Sequence, residues 1–178
     1  MPTRTAHADR PRRPDAPDLR TLEHLDQTHQ EIIEVLARLH LLIEKLEVRG
    51  TDGGVRRLAL DICTFFDTTA RPHHATEEMV VFPDLLASDD AELVQNVRRL
   101  QQDHGWLEQD WLELAPHLRA VANGQGWYDV DLLREAVPAF SELYRDHIAL
   151  EEGVVYPAAR RRGEIRSPRS SPAHEEAS

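Results

Sequence analysis

His73-His74-Ala75-Thr76-Glu77-Glu78-Met79-Val80-Val81-Phe82-Pro83 and His147-Ile148-Ala149-Leu150-Glu151-Glu152-Gly153-Val154-Val155-Tyr156-Pro157 are one stretch written twice, identical at seven of eleven positions. Self-similarity of this kind marks an internal repeat. Both copies place a His and a Glu four residues apart. On an α-helix that spacing turns about 400°, so His73 and Glu77 share a face, as do His147 and Glu151. An imidazole stacked over a carboxylate is half of a metal site.

The duplication reaches further upstream. Leu25-Asp26-Gln27-Thr28-His29 precedes the first copy and Leu100-Gln101-Gln102-Asp103-His104 the second, sharing Leu, Gln and His in register. His29 lies 44 residues before His73, and His104 lies 43 before His147. The chain therefore reads as one helical hairpin repeated, each copy giving a lone His from its first helix and a His-x-x-x-Glu pair from its second.

Apolar periodicity supplies the helices. Leu22, Leu25, His29, Ile32, Leu36, Leu39, Ile43 and Leu46 step by alternating three and four residues, which makes a bundle seam. Gly50, Gly53 and Gly54 close that helix. In the second segment Leu58, Ile62, Phe65, Thr69, His73, Glu77 and Val80 share a face, with a kink expected at Pro72 and an end or bend at Pro83. Ser88-Asp89-Asp90 offers N-cap chemistry to a third helix, whose inward positions are Leu93, Val97, Leu100, His104, Leu107, Trp111, Leu114, Leu118 and Val121. A kink is expected at Pro116, and Asn123-Gly124 stops the helix. The fourth begins near Asp129 or Asp131 and turns Leu133, Val137, Phe140, Tyr144, His147, Glu151 and Val154 inward, with an irregularity at Pro138.

These segments predict an all-α, up-down-up-down four-helix bundle over residues 18–161, built by internal duplication of a two-helix unit. Residues 1–17 and 162–178, rich in Pro, Arg, Ser and Asp, are predicted to be disordered tails. The net charge of -11 is concentrated in the middle of the chain, because residues 1–18 hold four Arg against three Asp and residues 160–178 five Arg against three Glu. Such a body repels nucleic acid. No apolar run approaches the ~20 residues that span a bilayer. Arg12-Arg13 is not followed by an apolar segment, so no export signal is expected and a cytoplasmic protein is. The single cysteine, Cys63, excludes a thiolate cluster and reads as a small buried residue of the second helix.

His29, His73, Glu77, His104, His147 and Glu151 all fall on inward stripes. Two carboxylates buried among imidazoles cost several kcal/mol unless cations compensate them. Imidazole with carboxylate suits iron, manganese, zinc or copper, and bridging glutamates without thiolates favour an iron pair. His73 and His74 differ by about 100° around the axis, and the second copy has Ile148 at the place of His74. His73 is therefore the expected ligand and His74 a neighbour of the site or a surface residue. Glu78, Glu152 and Glu108 are expected on solvated or helix-pairing faces. His24, His40 and His117 are out of phase, and His7 and His174 lie in the tails. Trp106 and Trp111 are expected to pack, with Trp106 a candidate shield for the mouth of the site.

The paired His-x-x-x-Glu-Glu segments ending in Phe-Pro or Tyr-Pro, preceded by His29 and His104, resemble the hemerythrin-like, or HHE cation-binding, domain over about residues 20–161. The resemblance implies two iron ions, oxo- or hydroxo-bridged, with His29, His73, His104 and His147 as terminal ligands and Glu77 and Glu151 as bridges. It implies a small diatomic or peroxidic partner: dioxygen, hydrogen peroxide or nitric oxide. Oxygen-carrying hemerythrins have a further His where this chain has Glu108, so simple oxygen storage fits less well than redox reaction or sensing. An iron- or oxygen-sensing or iron-handling module without turnover is the alternative. A ferritin-like oxidase, which uses Glu-x-x-His, is not supported, since that spacing is absent from the chain.

Overall fold

A computed structural model describes residues 19–166, and the regular structure among them is entirely helical. Four helical rods follow in chain order. α1 is Leu19–Arg49 and α3 is Ala91–Ala122. α2, residues 53–86, and α4, residues 130–166, are composite: π-helical turns interrupt their α-helix. α1 lies against α2 and α4, and α3 lies against the same two.

The caps follow from local chemistry. Gly50 takes a left-handed φ of 60° after α1, a conformation that costs glycine least. Asp52 starts α2 by accepting from the Val55 N–H at 2.8 Å. Asp90 and Asp129 cap α3 and α4 in the same manner, each accepting from two backbone N–H groups of the first turn. The choice between Asp129 and Asp131 thus falls to Asp129.

The inward stripes of α1 and α3 are buried as the periodicity predicts, except that Trp111 is only partly covered. In α2 and α4 the stripe slips. Phe66 and Ala70 are buried where Phe65 and Thr69 were expected, Val81 where Val80 was, and Val155 where Val154 was. Each of these slips falls within a π-turn, which holds an extra residue and so departs locally from the α-helical period. Three such turns occur, Phe66–Ala70, Glu77–Val81 and Glu151–Val155, each followed within two residues by proline: Pro72, Pro83 and Pro157. Proline has no N–H to give and crowds the carbonyl one turn back, and a wider turn accommodates both. The second copy has Asp146 at the place of Pro72, and there α4 stays α-helical from Val130 to Leu150.

Helix continues past Pro83 to Leu86, and α3 and α4 run without interruption through Pro116 and Pro138. α4 also continues beyond Arg161 to Arg166, because the Arg162 guanidinium is tied to Asp84 at 2.9 Å and to Ser88 at 3.0 Å. The expected tails, with His7 and His174, otherwise lie outside the described residues.

The apolar core is divided in two. One cluster includes Ile32, Leu36, Ile62, Phe66, Leu107, Phe140 and Tyr144. The other includes Leu22, Leu25, Val81, Phe82, Leu100, Val155 and Tyr156. In every rod the residues between these clusters are the expected donors: His29 in α1, His73 and Glu77 in α2, His104 in α3, and His147 and Glu151 in α4. A polar layer thus crosses the middle of the molecule. Cys63 lies in the first cluster, where burial pushes its thiol up to about 11.

Candidate metal centre

All six expected donors are buried, and Glu77 and Glu151 are wholly inaccessible at 0% exposure. They meet in two overlapping groups, His29 with His73, Glu77 and Glu151, and His104 with His147, Glu77 and Glu151. Within each group every donor atom lies within 4.8 Å of every other, close enough to hold a metal ion. Both glutamates belong to both groups.

The distances show how the carboxylates are shared. Glu77 Oε1 is 3.4 Å from His73 Nε2 and 4.0 Å from His29 Nε2, while its Oε2 is 3.3 Å from His104 Nε2. Glu151 Oε2 is 3.1 Å from His29 Nε2 and 3.2 Å from His147 Nε2, and its Oε1 is 3.9 Å from His104 Nε2. Each carboxylate thus faces imidazoles of both groups, as a bridging ligand must.

The protein alone leaves this layer unsatisfied. Both oxygens of Glu151, Glu77 Oε2 and the Nε2 atoms of His104 and His147 are buried without an aligned hydrogen-bond partner. Native interiors leave only a few such atoms scattered through a domain, and here they gather in one layer. Imidazole nitrogens and carboxylate oxygens converging in this number form a donor set for divalent or trivalent cations, and the orphaned atoms are the ones a cation would engage.

The protonation pattern follows from the same crowding. Burial, reinforced by the charge of Glu77, pushes Glu151 well above the usual carboxylate range. Burial acts upward on Glu77 too, but His104 and His73 outweigh it and hold that group below its usual value. Burial lowers His73 to about 4, with Glu77 opposing. His29 is raised, because Glu151, Glu77 and Glu152 together outweigh its burial.

Glu78 and Glu152, expected on solvated or pairing faces, have a definite task. His29 Nδ1 donates to Glu152 at 3.1 Å, and His104 Nδ1 donates to Glu78 at 3.1 Å. Each carboxylate fixes the imidazole of the opposite hairpin so that its Nε2 faces the layer, the arrangement by which a carboxylate orients a metal-binding His. Gln101 donates to Glu78 in turn, at 2.7 Å. The repeated Glu-Glu is thereby explained: the first faces the layer and the second holds a neighbour's ring.

Two aromatic residues at the layer were missed by constant periodicity. The Tyr156 hydroxyl donates to Glu77 Oε1 and lies 3.3 Å from His29 Nε2. Its counterpart in the repeat, Phe82, stacks against His104 with ring centroids 5.6 Å apart. Tyr144 is buried beside the same carboxylates, and its phenol is raised by burial and by their charges. The aromatic that closes each repeat was the available signal, obscured by the π-turn ahead of it.

Other residues separate as follows. Glu108 is half exposed and pairs with Arg71 at 2.9 Å. Trp106 is half exposed, not packed. Trp111 packs on Phe66 and donates to Asp67 at 3.0 Å. His40 bonds Ser141, and His117 accepts from the Asp129 N–H. His74 reaches the layer.

A family model, the hemerythrin HHE cation-binding domain, matches residues 20–159. The chain belongs to that family. Its two hairpins bring His and Glu residues from matched positions to the buried layer. The HHE domain is also 28% identical over 131 residues to an uncharacterized protein of Haemophilus influenzae, covering 74% of each chain. No solved structure matches it. Among the described residues, no helix is long and apolar enough to cross a membrane.

Proposed function

We propose that this HHE domain is an up-down-up-down four-helix bundle holding two iron ions, and that it binds or reacts with dioxygen, peroxide or nitric oxide in the cytoplasm. The observation that carries this reading is the sharing of Glu77 and Glu151 between two groups of buried donors. His29 and His73 would hold one ion and His104 and His147 the other, with the two glutamates between them. Bound iron supplies one-electron chemistry and open coordination positions, since an octahedral ion wants more than the four protein donors of each group.

The chain's own residues prepare that chemistry. Apolar clusters on both sides keep water from the layer, and the carboxylates of Glu78 and Glu152 hold two of the rings in place. Tyr156 keeps its proton, since burial and the charges of Glu77 and Glu151 all raise its phenol, so it serves as a hydrogen-bond donor next to His29. A cleft of about 490 Å³ between α2 and α3 leads from the surface to His74 and His104 and gives a small ligand its way in.

The test is anaerobic loading with ferrous iron, followed by rapid mixing with each of the three ligands. New charge-transfer absorption with at least one is expected. Loaded protein that is spectrally inert to all three would remove the reactive function and leave a metal-dependent structural role.

A further inference from the structure

His74 is the place where the duplication breaks. The second copy has Ile148, buried in the apolar core, whereas His74 turns its ring toward the layer. Its Nε2 is buried without a hydrogen-bond partner, and one of its ring nitrogens lies within 4.8 Å of donor atoms of His104 and His147. An imidazole nitrogen left so is costly unless something arrives to meet it.

That something is not the cation itself. The rings of His74 and His104 are stacked, with centroids 4.1 Å apart and planes 16° from parallel. Each imidazole binds a metal through a lone pair in its own ring plane, and two stacked planes cannot both contain one ion. Phe82 lies on His104 as well, 13° from parallel, so that ring is fixed. His74 Nε2 therefore stands beside the coordination sphere of the His104–His147 position.

The cleft between α2 and α3 ends at the same place. Phe66, Leu107, Leu112, Trp111 and Tyr144 give it apolar walls, and at its rim Arg71 and Glu108 neutralise each other. Gly105, next to His104, has open space where a side chain would begin. A passage of this character admits a small, weakly hydrated ligand and presents it to one metal position.

We propose that His74 is a ligand-positioning residue: it hydrogen-bonds, through Nε2, a small anion or peroxidic ligand that enters by the α2–α3 cleft and binds at the His104–His147 metal. This rests on the di-iron reading above. It makes the two positions unequal, since the His29–His73 position has the Tyr156 hydroxyl as its neighbouring donor and the other has His74.

The experiment is azide titration of the ferric, iron-loaded full chain, followed by absorption, with iron content measured on each sample. His74→Ile copies the second repeat and is expected to keep the wild-type iron content while binding azide about ten- to a hundred-fold more weakly, the loss of one hydrogen bond to a charged group. His74→Gln, which restores a hydrogen-bonding group, should recover part of that affinity. Gly105→Leu, which narrows the cleft and improves helix propensity, should slow azide association without lowering iron content. Unchanged azide affinity in His74→Ile would overturn the proposal. So would loss of iron, which would make His74 a ligand. Wild-type chain that takes up no iron would instead overturn the di-iron reading, and this inference with it.

Discussion

Replacing Glu151 by Gln should stabilise the metal-free protein and destabilise the metal-loaded one. Glu151 is wholly buried, neither carboxylate oxygen has an aligned partner, and Glu77 crowds it with like charge. Charge left unsatisfied there costs about 1–3 kcal/mol or more, and a proton taken up to remove it is one the unfolded chain does not bind at neutral pH, so Glu151 lowers apo stability in either state. A glutamine of the same shape has no charge and brings an N–H group that His147 Nε2, 3.2 Å from the present oxygen, can accept. Each kcal/mol moves the melting temperature of a chain this size by about 2–4 °C, so the apo variant should melt roughly 2–12 °C higher. The loaded state reverses this. Metal at a thousandfold excess over its dissociation constant stabilises by about 4 kcal/mol, and the variant forfeits much of that because it loses one carboxylate oxygen and the negative charge that both donor groups face. Paired calorimetric scans, with and without iron, read both effects, and the order of the two melting temperatures should cross. A variant less stable than wild type by the same amount in both conditions would refute the reasoning, since Glu151 would then be an ordinary structural residue.

Three further outcomes follow from the same geometry. Glu78→Gln and Glu152→Gln should each weaken iron binding about ten- to a hundred-fold, measured by competition with a chelator, because His104 and His29 lose the acceptor that orients them. Iron uptake at neutral pH should release protons, since Glu151 and His29 are both raised in the metal-free state; affinity should therefore fall as pH falls, which titration calorimetry in buffers of differing ionisation enthalpy will read. Tyr156→Phe, which imitates Phe82, removes the donor to Glu77 and should lower apo stability by about 1–3 kcal/mol in chemical denaturation, while iron content is retained.

Much of the architecture is legible in the chain because its two halves report on each other. The stripes of α1 and α3 obey a constant helical period, and His29 and His104 fall on them without adjustment. The His-x-x-x-Glu pairs stay legible because each spans a single turn. What constant periodicity loses lies at the end of a π-turn: Val81 and Val155 close such turns and Phe82 and Tyr156 directly follow them, where the α-helical period is locally broken. The prolines at 72, 83 and 157 mark those places, yet Pro116 and Pro138 sit inside uninterrupted α-helix, so proline alone does not announce a π-turn. Glu78 and Glu152 were obscure for another reason. Their partners belong to the opposite hairpin, and helical phase describes one helix at a time.

The account depends on one buried layer being a two-ion site. Chelator-stripped protein, reloaded anaerobically with ferrous iron, desalted and submitted to elemental analysis and iron-edge X-ray absorption, tests it most directly. About two irons per chain, each in an imidazole and carboxylate environment with a second iron at bridging distance, is the predicted result. One iron or none, or irons in an all-oxygen environment without a near neighbour, would contradict it.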